Sequence, residues 1–398
     1  MRFPGFTEEW EVKKLGEVFS IFNGYAFSSA ESVDNGILWV KIADVGIQEM
    51  KKDNLSFLPL NFKTKYSKFS LKKGDYVVAL TRPILNGRLK IAQIDDFFDG
   101  ALLNQRVGKI ETKNSSGFVY CYLQKDSLIK SIENSIAGSE PPNLSPNEIN
   151  SIKLVIPLLS EQTKIASFLL LIDERIQTQI KIIEQLKTLI KGLSEKLFSQ
   201  EIRFKGFTEK WAVKKLGEIF YSEKGRGLSK DKLVSNGQYE CVLYGELYTK
   251  YNEVIFDVVS KTNEEDGLKS KIGDLLIPSS TTTTGIDLAN VTAINKENVL
   301  LGGDITILRS EEKINNIFYA YYLSNYKKEE IASYAQGSTI VHLYYNHIKN
   351  MLIDLPSFEE QTVIANFLSA IDTKIQTEKN TLDKYQTQKQ YLLQNLFI

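Results

Sequence analysis

Eighteen residues near the start of the chain are written again 201 positions later: residues 2–19 read RFPGFTEEWEVKKLGEVF and residues 203–220 read RFKGFTEKWAVKKLGEIF. Only Pro4/Lys205, Glu9/Lys210, Glu11/Ala212 and Val18/Ile219 differ. A second pair of stretches repeats at an offset of 199, where Pro157, Glu161-Gln162-Thr163, Ile165-Ala166, Phe168-Leu169, Ile172-Asp173 and Ile176-Gln177-Thr178 recur from Pro356 to Thr377. One unit is therefore encoded twice, and any fold proposed for the 398 residues has to be made two times over. Each half is long enough to bury a core of its own.

Charge gives no global pull. Lys and Arg total 49 and Asp and Glu total 49, so a basic surface for nucleic acid or membrane has to be local. The first residues lack a basic stretch followed by an apolar run, and no segment has the length of apolar sequence a membrane span needs. Two cysteines, Cys121 and Cys241, indicate neither a disulfide framework nor a zinc site. The expectation is a soluble, cytoplasmic protein without membrane contact.

Residues 1–20 read as a short amphipathic lead-in anchored by Phe3, Phe6, Trp10 and Leu15. Short apolar runs bounded by Gly, Asn, Asp and Lys then predict strands at 38–40, 76–80 and 106–110. A helix is expected over 118–132, and a capping box at 145–148 predicts another short one. After Pro157 the pattern changes. Ile165, Leu169, Ile172, Ile176, Ile183, Leu186, Ile190, Leu193 and Leu197 follow an alternating four-three spacing, with Gln179 as the polar member. That spacing predicts a long helix over 161–198, on the order of 55 Å, with a coiled-coil seam. The second copy keeps the seam in Ile364, Leu368, Ile371, Ile375, Leu382, Tyr385, Leu392 and Leu396, with Glu378 and Lys389 as its polar members, and Ser357 with Glu360 forms a capping box at its start.

Stripes this narrow are most simply buried against each other, and connectivity makes the pairing antiparallel. Ile165, Leu169, Ile172 and Ile176 of one helix and Ile364, Leu368, Ile371 and Ile375 of the other are the expected pairing residues. The unit is cyclic in logic: Leu197-Phe198 runs into Arg203-Phe204, whereas Leu396-Phe397 would have to meet Arg2-Phe3 in space. The predicted fold is α+β. It has two similar mixed α/β domains (1–156 and 201–355) and two helical spacers (157–200 and 356–398) that form an antiparallel coiled coil with pseudo-two-fold internal repetition.

The two globular parts share marks such as Gly74-Asp75 against Gly273-Asp274 and Gly138-Ser139 against Gly337-Ser338, yet the loop after the shared strand diverges. It reads TRPILNGR at 81–88 and SSTTTTG at 279–285. A common scaffold with unlike loops suits two recognition modules with different targets. Residues 63–90 hold eight basic side chains against Asp75, interleaved with Tyr66, Phe69 and Tyr76, which suits phosphate contacts and equally a solvated lysine face.

Catalytic signatures are missing. His342 and His347 are too far apart on a helix to share one face, and no phosphate-binding GxxxxGK[ST] or dinucleotide GxGxxG is present. Glu140-Pro141-Pro142-Asn143 is only partly like the Asn/Asp-Pro-Pro-aromatic motif of amino-methyltransferases, lacking its first residue and its aromatic, and reads as a stiff loop.

The doubled FTExWxxxKLGE, the Lys-Lys-Gly-Asp and Lys-Ile-Gly-Asp turns before a strand, and PxxxEQTxIAxFLxxID opening each long helix together resemble the specificity subunit of type I restriction-modification enzymes over essentially the whole chain. The resemblance implies two target recognition domains that each read half of a bipartite double-stranded DNA site, and helices that set the gap and dock two modification subunits. It leaves room for restriction subunits as further partners. Methyl transfer and cleavage would belong to those chains, with S-adenosylmethionine on the modification subunit and no cofactor or metal here. On this reading Arg82, Asn86 and Arg88 in the first domain, and Ser280, Thr282 and Thr283 in the second, are candidate base contacts. Lys63, Lys65, Lys72 and Lys73 are candidate phosphate contacts. The rival readings are a coiled-coil adaptor without sequence-specific DNA binding and a free-standing enzyme.

Overall fold

The computed structural model describes residues 2–136, 141–144 and 149–397. The chain divides into two compact units, Met1–Ile180 with Asn380–Ile398, and Lys181–Lys379, so the boundary falls inside both long helices. The capping box expected at 145–148 and the Gly138-Ser139 mark lie outside the described residues.

In the first unit the strand Tyr76–Ala79 is buried at every position and runs antiparallel to Val107–Glu111 and Ile91–Gln93; Ser20–Asn23 closes the four-stranded sheet beside Val107–Glu111. An all-apolar strand covered on both faces belongs in the middle of a sheet. It starts where it does because Gly74 takes φ +91°, and the Asp75 carboxylate accepts from the Lys72 amide at 2.9 Å, closing the turn. The second unit repeats this with Gly273 at φ +87° and Asp274 accepting from Lys271 at 2.9 Å, ahead of Asp274–Pro278 in a five-stranded sheet. Asp274 goes further, taking both arms of a bidentate pair with the buried Arg309 at 2.8 and 2.7 Å, which raises the guanidinium pKa.

The lead-in predicted as amphipathic is a strand and a single helical turn. Glu11–Lys14 pairs antiparallel with Lys153–Ile156, and Ala212–Lys215 pairs with Leu352–Leu355 in the second unit. The helix expected over 118–132 is two helices, Ser116–Tyr122 and Asp126–Ile136. The break lies where the Gln124 and Lys125 amides turn to the carbonyls three residues back, Cys121 and Tyr122, tightening the end of the first helix. In the second unit the same place holds Asn316–Tyr321, a wider π turn and Lys328–Ser333.

The long helices are Leu159–Phe198 and Phe358–Asn395. Arg2 clamps Glu161 at 2.8 and 2.7 Å, and Arg203 clamps Glu360 at 2.9 and 2.7 Å. The next residue does the joining: Gln162 and Gln361 each donate to the proline carbonyl five residues back and accept a backbone amide, from Ser115 and Asn315 respectively. The repeated Glu-Gln of the sequence is thus a structural fastener. Ser357 accepts from the Glu360 amide at 3.2 Å, but the Glu360 carboxylate is spent on Arg203 and Trp211, so the reciprocal half of the predicted capping box is not made.

The ends of the two long helices take equivalent places, one in each unit. In the first, Phe397 packs against Phe118 and Tyr122 with ring centroids 5.3 and 5.2 Å apart. In the second, Phe198 takes the same place against Phe318 and Tyr322 at 5.5 and 5.4 Å. Full burial of one such ring contributes about 2 kcal/mol. Within the first unit, Lys389 pairs with Asp173 and Phe397 reaches the helix that rests on Ala166, so the two helix segments run antiparallel. Ile165, Leu169, Ile172 and Ile176 are buried with Leu392, Leu393 and Leu396 and also with the unit's own Phe118 and Ile132, so the stripe serves both the helix pair and the domain core. Ile364 and Leu368 do the same in the second unit with Leu197 and Phe318; Ile375 is buried, and Ile371 is half-buried.

Candidate nucleic-acid interface

Both units carry the shared central strand to its end and then part ways. In the first, Thr81 bridges to Asn143, its hydroxyl donating to the Asn143 side chain at 2.8 Å, and the Arg82 amide donates to Pro142 at 2.8 Å. A tight hairpin follows, Ile84–Leu85 with Arg88–Leu89, turned by Asn86-Gly87 at φ +51° and +70°. Asn-Gly is the pair that a type I′ turn demands, because both central residues need positive φ. Arg82, Asn86 and Arg88 are exposed, but they do not gather. Asn86 and Arg88 line a crevice of about 270 Å³ with Gln48, Gln124, Ile176 and Lys389, while Arg82 stays with the Pro142-Asn143 ribbon.

The basic stretch does not make one patch. Lys63 and Lys65 lie on the turn Phe62–Lys65 and are exposed. The Lys65 ammonium stands 5.4 and 5.0 Å from the ring centres of Phe62 and Tyr66, and bonding to Tyr66 raises its pKa. These rings belong to an aromatic group in which Tyr25 meets Tyr66 at 4.6 Å and Phe27 meets Tyr66 at 5.1 Å, and Lys68 and Lys109 both stand over Phe22. Aromatic faces under ammonium groups hold cations in place while leaving them hydrated on one side. Lys72 and Lys73 sit elsewhere, at the Gly74-Asp75 turn. There Asp96 pairs with the Lys73 ammonium at 2.7 Å and Asp99 accepts its amide. The fold brings Asp96 and Asp99 to Lys73, so the local excess of charge seen in the sequence is partly cancelled.

In the second unit the serine and threonine run is largely spoken for. Ser280, a predicted base contact, is 7% exposed, and its hydroxyl donates to Asp304 at 3.1 Å, because Ser280–Thr281 is a strand paired with Val341–His342. Its side chain therefore faces the protein. Thr283 bonds with Thr281 and with Asp287, and that bonding holds the Asp287 carboxyl below its usual range. Thr282 is exposed. Beside this loop Lys224 stands 3.7 Å from Asp304 and 5.8 Å from the ring centre of Tyr344, at the rim of a cleft of about 1030 Å³ that Tyr244 and Tyr248 also line.

Sequence reasoning passed over His342, Tyr344 and Asn143. The spacing of His342 and His347 around Tyr344 builds a stack: His342 lies 5.6 Å from Tyr344 at 15°, and His347 meets it edge-on at 5.5 Å. Among the described residues no group of three or more His, Cys, Asp or Glu is arranged to hold a metal, and no helix is long and apolar enough to cross a membrane.

Two similar α/β units, each ending its central strand in loops of its own and fastened by the same Arg-Glu-Gln device to a long helix, define a duplicated loop-presenting protein. The chain belongs to the type I restriction modification DNA specificity domain family, whose model matches residues 7–188 and again 208–385. It is 34% identical over 201 residues to the type I restriction enzyme MjaVIII specificity subunit of Methanocaldococcus jannaschii, a match covering 50% of this chain and 47% of that one. It is 31% identical over 186 residues to the EcoAI specificity subunit of Escherichia coli, covering 46% of this chain and 31% of the relative. Each match thus spans about half or less of the relative's length. The crystal structure of the type I restriction-modification S subunit from M. genitalium has the same fold, with a TM-score of 0.65 over 100% of this chain and 97% of that one at 18% identity.

Proposed function

We propose that this chain is the DNA sequence-specificity subunit of a type I restriction-modification complex, each unit reading one half of a bipartite site. The observation that carries the reading is the pair of matched strand ends, Thr81 with Asn143 and Ser280 with His342, from which unlike loops diverge on one repeated frame. Two frames that place different side chains at the same position read different short sequences, and a fixed helical connection gives a fixed gap. The long helices dock modification subunits, a role supported by Leu171, Leu189 and Phe367, which stay exposed on helices that are otherwise buried along one stripe. Exposed apolar side chains of that size suit a protein partner. Catalysis, S-adenosylmethionine and any restriction subunit belong to the partners, and the complex acts in the cytoplasm.

The test is a methylome. The chain is expressed with its modification subunit in a methylation-free host, and modified bases are mapped by single-molecule sequencing. One motif of two unlike half-sites with a constant gap is the expected result. An intact complex that leaves no new modification would favour the adaptor reading.

A further inference from the structure

We infer that His342, oriented by Tyr344, is a base-reading residue of the second unit, donating a hydrogen bond to a major-groove base acceptor in that unit's half-site; this rests on the specificity reading above. The position is the structural counterpart of Asn143, since Ser280 pairs with His342 as Thr81 pairs with Asn143. Its backbone is held from both sides. The His342 amide donates to Gln336 and its carbonyl accepts from Gln336, at 2.7 and 2.9 Å, while the Leu343 amide donates to Ser279 at 3.0 Å.

The ring is held as well. It stacks on Tyr344 at 5.6 Å and 15°, and Nδ1 lies 3.1 Å from the tyrosine hydroxyl. His342 is half-buried and Tyr344 is 38% exposed, and neither belongs to a hydrophobic core. Ordering two aromatic side chains at an exposed site is unfavourable in entropy and brings no core packing in return. It gains its use when a ligand arrives, because a prealigned polar edge binds without further ordering. In the tautomer where the hydroxyl donates to Nδ1, the imidazole proton sits on Nε2, and among the described residues no hydrogen bond is made there. A single fixed donor meets N7 or O6 of guanine, N7 of adenine or O4 of thymine in the major groove. A lysine-like phosphate contact would not need a fixed ring plane.

The experiment compares methylomes of the wild-type complex with His342→Ala, His342→Asn and Tyr344→Phe. His342→Ala is expected to keep the first half-site and the gap and to lose discrimination at one base pair of the second, by on the order of tenfold to a hundredfold. Tyr344→Phe should weaken discrimination at the same base pair by less. An unchanged motif at wild-type stringency would overturn the assignment, as would uniformly weaker methylation with stringency intact, the mark of a phosphate contact. If His342→Ala methylates nothing, mobility shifts of the purified His342→Asn complex on duplexes changed one base pair at a time decide the matter. Altered preference at one pair supports base reading, and unaltered preference at every pair refutes it. A wild-type complex that yields no bipartite motif would fail at the earlier step, the specificity reading itself.

Discussion

Glu360 accepts two bonds from Arg203 and a third from the Trp211 indole at 2.9 Å, whereas the Trp10 indole in the first unit finds no partner among the described residues. The Arg2 and Arg203 clamps look alike in sequence, but they differ in energy. Replacing Glu360 by alanine strands a guanidinium whose side chain is 18% exposed, and should destabilise the second unit by about 3–5 kcal/mol. Glu161→Ala should cost the first unit about 1 kcal/mol less, for want of the indole bond. Urea unfolding of both variants measures this, and equal losses would mean that the Trp211 bond contributes nothing. At the interface, Lys65→Ala should lower the salt dependence of DNA binding by about one unit of slope and leave sequence preference alone. A changed preference would make Lys65 a base contact. The sequence marks Lys65 only as one of eight basic residues; that its ammonium rests on Phe62 and Tyr66 depends on rings placed by folding.

Among the elements, the long helices show how one stripe serves two purposes. Lys389, a polar member of the predicted seam, is 4% exposed and ion-paired with Asp173, and it donates to Gln124 at 2.6 Å and Gln48 at 2.9 Å. It ties the helix pair to the loop that carries Gln48. Lys389→Met should destabilise the first unit by about 3 kcal/mol by leaving the Asp173 carboxylate buried and unpaired. Adding Asp173→Asn should restore part of that loss, and strict additivity in the double-mutant cycle would show that the pair is not coupled. The second unit has Ile190 at the corresponding place, and Asp372 instead accepts from the Tyr321 hydroxyl. Burial, with repulsion from Asp372, raises the Glu253 carboxyl above its ordinary 4.5, and burial raises Asp372 above 3.8. A carboxyl raised in the folded state binds protons that the unfolded chain has released. Its contribution to stability is therefore full below the ordinary value and is lost as pH rises through the folded value. Glu253→Gln should flatten this dependence, gaining on the wild type in urea midpoints as pH rises above the carboxyl's ordinary 4.5. Parallel curves would contradict it.

For the whole molecule, the proposed ruler has a length. Removing one matched heptad from each long helix shortens it by about 10 Å, or roughly three base pairs of DNA. The methylome of that variant should show the unspecified gap altered and both half-sites kept; an unchanged gap removes the ruler from the proposal. The doubling, the two long helices and their seam, and the turn before the central strand were legible in the residues, because each follows from local periodicity or from a side chain bonding a few positions away, as Asp75 and Asp274 do. The break between Tyr122 and Asp126 was not legible, since the apolar spacing runs straight through it. The candidate site was harder still. Exposed Thr282 and buried Ser280 are the same kind of residue in one polar run, and only the strand from Val341 to His342, some sixty residues later in sequence, turns one inward and leaves the other out. Sequence by itself determined that there are two units and that each carries a long helix, for both are encoded in repeated motifs and local periodicity. Which side chains stand at the surface together was decided by tertiary structure alone, because long-range pairing brings acids to Lys73, His342 to Ser280 and Asn143 to Thr81 from parts of the chain that no local pattern connects.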